Sequence, residues 1–415
     1  MKIGIFTDTY FPQVSGVSTS IKLLKDQLTK RGHEVVIFTT TDPQSVPEPN
    51  VVRLPSVPFV SFEDRRIAYA GFDKCLKIAR NEKLDLVHTH TEFSLGMAGR
   101  YVASRMKIPT VHTYHTMYEK YTHYIMNGHL IQPKHVRRIS RMYCNNADRI
   151  IAPSQLTADA LMSYGVNIPI SVVSTGVELP DITMKSYSSV RSRMRSELGL
   201  SEDDWLLLSL SRLSKEKQID QVIEAFPEIL KQIPQAYLVI VGDGPHREAL
   251  ESLAQKLQIS RIKFIGEIPY DRVTDYYQMA DVYVNASESE TQGLTYLEAI
   301  VNYLPVIAKE NDFLSSIMVK ASYGRLYRGK ENIVKAVVEF SNKKQTNEIP
   351  DIDRDGLYSI SVERFGREAE KVYEDTLKES LAYHRPNKTF ERFQNGLAQF
   401  VREVMIGHDN LTDDE

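Results

Sequence analysis

The residues best placed to do chemistry lie in the stretch Glu290–Glu298, ETQGLTYLE. Two carboxylates flank Gly293 at the start of an expected helix, Gly293–Val301. A glycine lets the backbone approach a ligand closely, and the N–H groups of a first helical turn suit a phosphate. Carboxylates disfavour phosphate but accept hydrogen bonds from sugar hydroxyls. The pattern suits a sugar nucleotide, with amides toward the phosphates and Glu290 and Glu298 toward hydroxyls. The plainer alternative is one solvated glutamate and one helix-capping glutamate. A second cluster is SRLSKEK, directly after the expected strand Trp205–Leu210. Arg212 and Lys217 would leave the carboxyl end of that strand, where open α/β sheets bind ligands, and two cations there can neutralise a diphosphate leaving group. Gly16, in FPQVSGVSTSI between the first strand and first helix, can bring a helix N-terminus to the same phosphates, although turn chemistry explains it equally well.

Histidines form a third set: His88 and His90 in HTHTEFSLG, then His112, His115 and His123. Alternate residues of a strand point the same way, but no third metal ligand is evident, so no metal site is expected. His115, just past a strand end, is the better candidate for contact with a sugar or an acceptor. VGDGP (Gly242, Gly244, Pro245) resembles a dinucleotide fingerprint, yet Arg247 occupies the place of the third glycine. Finally, Lys134, Arg137, Arg138 and Arg141 share one face of an expected helix, with Val136, Ile139, Met142 and Tyr143 on another. Such a helix reads as binding an anionic membrane surface or a partner, or as a solvated face; with no stacking-aromatic module recognisable, no nucleic-acid partner is expected. Tyr118, Tyr121, Tyr124, Phe59 and Phe62 can add interfacial contacts.

Positioning these residues requires alternating strands and helices. Strands are predicted at Lys2–Thr7, Glu34–Thr39, Val51–Leu54, Leu84–His88, Thr110–Thr113, Arg149–Ala152 and Ile170–Ser174. The pattern restarts with strands at Trp205–Leu210, Tyr237–Val241, Arg261–Ile265, Val282–Asn285 and Val306–Ala308, separated by helices. This order predicts an α/β fold of two doubly wound, Rossmann-like domains facing a central cleft, residues 1–182 and 203–385. The Ser- and Arg-rich segment around 182–202 is the expected connection, and a helix near Thr389–Met405, within 386–415, is expected to cross back to the first domain.

Composition agrees with this size. A chain of 415 residues favours more than one domain, and 42% hydrophobic with 25% charged residues excludes global disorder. Two cysteines make no disulfide framework and fit a reducing compartment. No run of eighteen apolar residues and no secretory leader is evident, so neither a spanning nor a secreted protein is expected. Residues 1–180 hold 21 Lys and Arg against 15 Asp and Glu, whereas the remainder hold 30 against 39, so only the first half is suited to an anionic partner.

Taken in order, the Gly16 loop, VHTYH, SRLSKEK, VGDGP, FIGEIP, ADVYVNAS, the Glu290–Glu298 pair and PVIA resemble the retaining GT-B glycosyltransferases of family 4. FTDTYFPQVSGVSTSI, RLPSVPFVSFEDRRIAY, HTHTEFSLG and HTYHTMYEKYTHYI are similar to bacterial diacylglycerol glucosyltransferases. The resemblance implies UDP-glucose as donor, diacylglycerol as acceptor, an α-linked glycolipid that also serves as a lipoteichoic-acid anchor precursor, and a peripheral location on the cytoplasmic face of the plasma membrane. It implies that Arg212, Lys217 and the backbone of Gly16, Gly293 and Leu294 hold the diphosphate. Glu298 would take the ribose hydroxyls, Glu290 the glucose hydroxyls, Glu267 and Ile268 the uracil, and His115 would lie near the transferred sugar. Family chemistry of this type demands no cofactor. Ser15 stands where many members carry a glycine, and Tyr303 stands where a glycine is expected before PVIA. The rival within the class keeps the fold but changes the donor to UDP-galactose or the acceptor to a glycosylated lipid, and a dinucleotide-dependent oxidoreductase and a silent lipid-surface protein are the rival readings from other classes.

Overall fold

The apolar runs read from the sequence become strands of two sheets, and every pairing within each sheet is parallel. This computed structural model describes residues 1–13, 15–59, 62–115, 133–181, 184–287, 293–318, 320–346, 348, 351–352 and 354–382. The chain divides into two compact units, one of Met1–Thr175 with the segment that begins at Val362, the other of Gly176–Ser361.

The first unit runs β1 (Lys2–Phe6), α1 (Gly16–Lys30), β2 (Glu34–Thr40), β3 (Val51–Leu54), β4 (Ser56–Phe59), β5 (Phe62–Ala68), α2 (Phe72–Glu82), β6 (Leu86–Thr89), α3 (Ser94–Met106), β7 (Thr110–Thr113), α4 (Pro133–Cys144), β8 (Arg149–Ala152), α5 (Gln155–Ser163) and β9 (Ile170–Val172). Its seven-stranded sheet has the order β3-β2-β1-β6-β7-β8-β9, and β4 pairs with β5 as a separate antiparallel hairpin that the sequence reading did not anticipate. The reversal of order between β1 and β6 opens a crevice at their carboxyl ends. Helix α1 starts where Ser15 and Ser18 bond each other reciprocally, so a glycine at position 15 is not needed to begin it. Ile21, Leu24 and Leu28 then form its buried stripe against Ile3, Ile5 and Ile37.

The second unit comprises α6 (Met184–Glu197), β10 (Trp205–Leu210), α7 (Ile219–Gln232), β11 (Ala236–Val241), α8 (Arg247–Lys256), β12 (Ile262–Gly266), α9 (Val273–Met279), β13 (Val282–Asn285), α10 (Leu294–Val301), β14 (Val306–Lys309), α11 (Asp312–Ile317), β15 (Gly324–Tyr327) and α12 (Ile333–Gln345). Its six strands lie in the order β12-β11-β10-β13-β14-β15, with the reversal between β10 and β13. Both faces of the sheet are covered, which is why Leu206, Leu207, Leu208, Leu238, Val239 and Ile240 read as continuous apolar runs and are all fully buried. Burial of each such side chain stabilises the fold by about 1.5–3 kcal/mol.

Two boundaries differ from the sequence reading. Residues 184–197 are not a linker but α6, held to the second unit by arginines that composition alone assigns to solvent. Arg195 is fully buried and donates to the carbonyls of Met279, Ser201, Glu202 and Asp204 and, at 2.8 Å, to Asp281. Arg191 reaches the other oxygen of Asp281 at 2.6 Å. The division therefore falls at Thr175 and Gly176 rather than near 182. The chain also leaves the second unit at Ser361, not at 385, because α13 (Val362–Ala382) belongs to the first. Phe365, Ala369, Val372 and Tyr373 of α13 bury against the core that contains Ile3, Ile21 and Leu24. The stretch Thr389–Met405, expected to return to the first domain, lies outside the described residues.

Candidate active site

In the first unit, the site residues gather at the carboxyl ends of β1, β6 and β7. Asp8 follows β1 and is buried. Its carboxylate accepts hydrogen bonds from Thr91 Oγ1 at 2.6 Å, from Leu95 N at 3.0 Å and from Ser94 Oγ, so it ties the end of β1 to the N-terminus of α3. Burial pushes this carboxyl up from its ordinary range, and the Ser94, Thr91 and Leu95 donors act against that shift. Gly16 opens α1, and among the described residues a Cβ placed on it would meet nothing within 4 Å.

His115, after β7, is half-buried and joins a string of imidazoles. Its Nε2 lies 2.8 Å from His90 Nδ1, His90 Nε2 lies 3.2 Å from His88 Nδ1, and His88 is held by Tyr373 Oη and Thr113 Oγ1 at 2.7 Å each. His88 and His90 do point the same way, as strand alternation requires, and they bond each other. Burial, reinforced by the neighbouring histidines, pushes His88 and His90 well below the usual imidazole value; burial and then His112 bring His115 down to about 3. The string is therefore neutral. Asp8, His90 and Tyr373 were not singled out for this role in the sequence. Their signal is a polar residue at or just past an apolar strand end, or, for Tyr373, a helical stripe.

Helix α4 separates its chemistry by face. Val136, Ser140, Tyr143 and Cys144 are buried, whereas Lys134, Arg137, Arg138 and Arg141 are exposed. Arg137 lies over the Tyr164 ring at 5.8 Å. Tyr118, Tyr121, Tyr124 and His123 lie outside the described residues, as do the side chains of Phe59 and Phe62.

In the second unit, parallel strands deliver the remaining residues to one sheet edge. Arg212 and Lys217 follow β10, Glu267 and Ile268 follow β12, and Gly293 and Leu294 begin α10 after β13. The reversal between β10 and β13 brings the turn that carries Lys217 next to the chain that leaves β13, where Ser287 Oγ donates to the Glu216 carbonyl at 3.4 Å, and the carboxyl ends of strands at such a reversal are where parallel sheets bind ligands. Gly293 has φ +62°, the left-handed conformation that turns the chain into that helix. Arg212 is exposed, Lys217 is half-buried in a 3-10 turn, Glu267 is exposed and Ile268 half-buried. Glu298, in α10, accepts a bond from Tyr277 Oη at 2.9 Å. Glu290 lies outside the described residues.

The VGDGP loop is a support for SRLSKEK. Leu213 N donates to Asp243 O at 2.9 Å, and His246 N to Leu213 O at 2.9 Å. A Cβ on Gly242 would come within 2.0 Å of Ser211 O, and one on Gly244 within 2.5 Å of Leu213 O. Both glycines are explained by the close passage of these two loops, which sets the course of the chain that carries Arg212. Tyr303, in the place of an expected glycine, retains the left-handed backbone with φ +62°.

Residues 14–180 match the family Glycosyltransferase Family 4, and residues 190–351 match Glycosyl transferases group 1. The chain is 43% identical over 389 residues to the alpha-monoglucosyldiacylglycerol synthase of Streptococcus pneumoniae, covering 91% of this chain and 86% of that one. It is 34% identical to the Acholeplasma laidlawii protein of the same name, covering 81% of this chain and 87% of that protein. Among solved structures, Anabaena HepE in complex with UDP and glucose is similar, with TM-score 0.71, 18% identity, and coverage of 90% of this chain and 100% of that one. The likeness to HepE speaks for the fold, and the identities speak for the lineage: the chain belongs to the family 4 glycosyltransferases of the GT-B fold.

Proposed function

We propose that this enzyme transfers glucose from UDP-glucose to 1,2-diacylglycerol with retention, giving alpha-monoglucosyldiacylglycerol, and that it works on the anionic cytoplasmic surface of the membrane. The observation that carries the reading is the 43% identity, along 91% of the chain, to a protein named for that product. The residues at the sheet edges support it. Arg212 and Lys217 neutralise the diphosphate with the backbone of Gly16, Gly293 and Leu294; Glu298 takes the ribose; Glu267 and Ile268 flank the base. Glu290 and His115 attend the transferred sugar.

The bond from the anomeric carbon to the diphosphate oxygen breaks, and a bond to the diacylglycerol hydroxyl oxygen forms on the same face. The hydroxyl proton passes to the departing phosphate oxygen, so UDP leaves and no side-chain base is required. Charge on the leaving group is met by two fixed cations, and the chemistry needs no cofactor. Among the described residues no helix is long and apolar enough to cross a membrane, and the exposed basic face of α4 supports surface attachment instead. In this reading the glycolipid is used in its own right and as a lipoteichoic-acid anchor precursor.

Purified protein with UDP-glucose and liposomes of diacylglycerol and anionic lipid tests the reading by product mass. One hexose on diacylglycerol, absent with UDP-galactose, is the expected result. UDP release without a lipid product would move the acceptor elsewhere, and no release at all would overturn the donor.

A further inference from the structure

Glu298 is held by one phenol and has one oxygen to spare. Tyr277 Oη donates to its Oε2 at 2.9 Å, while among the described residues Oε1 accepts no hydrogen bond. Tyr277 is fully buried on α9, so the phenol has little freedom. Its ring meets Tyr283 at 6.0 Å between centroids, and Tyr283 meets Tyr296 edge-on at 5.7 Å. Tyr283 Oη donates to the carbonyl of Leu210 at 3.0 Å and accepts from Asn285 Nδ2 at 3.0 Å. The carboxylate is thereby connected, through a row of buried aromatic rings, to the end of the strand from which Arg212 leaves.

We propose that Tyr277 is a positioning residue that fixes the Glu298 carboxylate, so that Oε1 meets the ribose hydroxyls and the site selects ribonucleotides over deoxyribonucleotides. The proposal rests on the reading of Glu298 as the ribose contact. A glutamate on a helix has three side-chain torsions to settle before both oxygens are placed, and a bond from a buried phenol settles them in advance of binding. Burial raises the Glu298 carboxyl above its ordinary range, and the Tyr277 bond opposes that rise, favouring the ionised form that accepts hydroxyl protons.

Calorimetry with UDP, 2′-deoxy-UDP and 3′-deoxy-UDP provides the test. Wild type is expected to bind UDP about tenfold or more tightly than at least one deoxy form, since a hydrogen bond to a charged group is being lost. Tyr277→Phe, which keeps the ring, is expected to weaken UDP by about tenfold while leaving the deoxy form unchanged, so that the preference nearly disappears. Its kcat at saturating donor should stay within about twofold of wild type, since Tyr277 acts on binding rather than on the leaving group. Tyr283→Phe loses the bond to Leu210 but not the one to Glu298, and is expected to retain the wild-type preference. A Tyr277→Phe protein with the wild-type preference overturns the proposal. Equal binding of all three nucleotides by wild type removes the ribose role of Glu298 itself, and the proposal falls with it.

Discussion

Nε2 of His115 lies 2.8 Å from Nδ1 of His90, with the two rings stacked at 5.1 Å. That bond occupies one nitrogen of His115, and among the described residues its Nδ1 has no protein partner. His115 is thus aimed by a neighbour from the end of the adjacent strand. The same string has a consequence for stability. His88, His90 and His115 are neutral in the folded protein, while their unfolded counterparts take up protons below the ordinary value of 6.5. The unfolded state then binds more protons, so stability is complete above that value and falls as the pH drops from there toward about 3 for His115. Each such histidine steepens the fall by up to about 1.4 kcal/mol per pH unit. Urea denaturation at pH 7.5, 6.5 and 5.5 should show this loss, and His90→Gln should show a shallower one. Stability independent of pH over that range would refute the neutral string.

Lys217→Ala is expected to lower turnover by a factor corresponding to about 3–4 kcal/mol of barrier, because a fixed charge facing a leaving diphosphate is removed. The residue is half-buried in a surface turn, so the melting temperature should hardly move. Single-turnover kinetics check it; unchanged turnover would detach the lysine from the reaction.

Gly242→Ala should destabilise the second unit by about 2–4 kcal/mol, since the new Cβ must displace the Ser211 carbonyl. Displacement of that loop carries Arg212 with it, so UDP affinity should fall even where the variant remains folded. A variant with wild-type melting and wild-type UDP affinity would show that the loops separate without cost.

Replacing Arg137, Arg138 and Arg141 together by Ser is expected to weaken flotation with anionic liposomes by about 1 kcal/mol per residue, with smaller effects at higher salt. UDP-glucose hydrolysis in the absence of lipid should persist. The three side chains are exposed, so the melting temperature should change little, with the Arg137 contact to Tyr164 the main loss. Equal flotation of the variant would take the membrane role away from α4.

Much of the architecture was determined by local sequence. Strands such as Val51–Leu54, Thr110–Thr113, Arg149–Ala152, Trp205–Leu210 and Val282–Asn285 have the bounds that apolar runs and turn residues dictate. This is the range over which periodicity and side-chain volume act within a single element. The ordered motifs likewise carried the family. What the tertiary structure alone decided are relations between residues distant in the chain. Arg195 is buried because its acceptors, Asp281 and the carbonyls around it, come from two other segments. Residues 184–197 therefore form a packed helix where composition reads a linker. Helix α13 shows a legible apolar stripe, but that stripe does not say which core it joins; Phe365 and Tyr373 find theirs among residues near the start of the chain. Gly242 and Gly244 resemble half a fingerprint until Ser211 and Leu213 are seen passing beneath them. The pairing of Tyr277 with Glu298 and of His90 with His115 depends on helix-to-helix and strand-to-strand placement. Spacing along the chain holds no record of those distances, because only the assembled sheets and their packed helices set them.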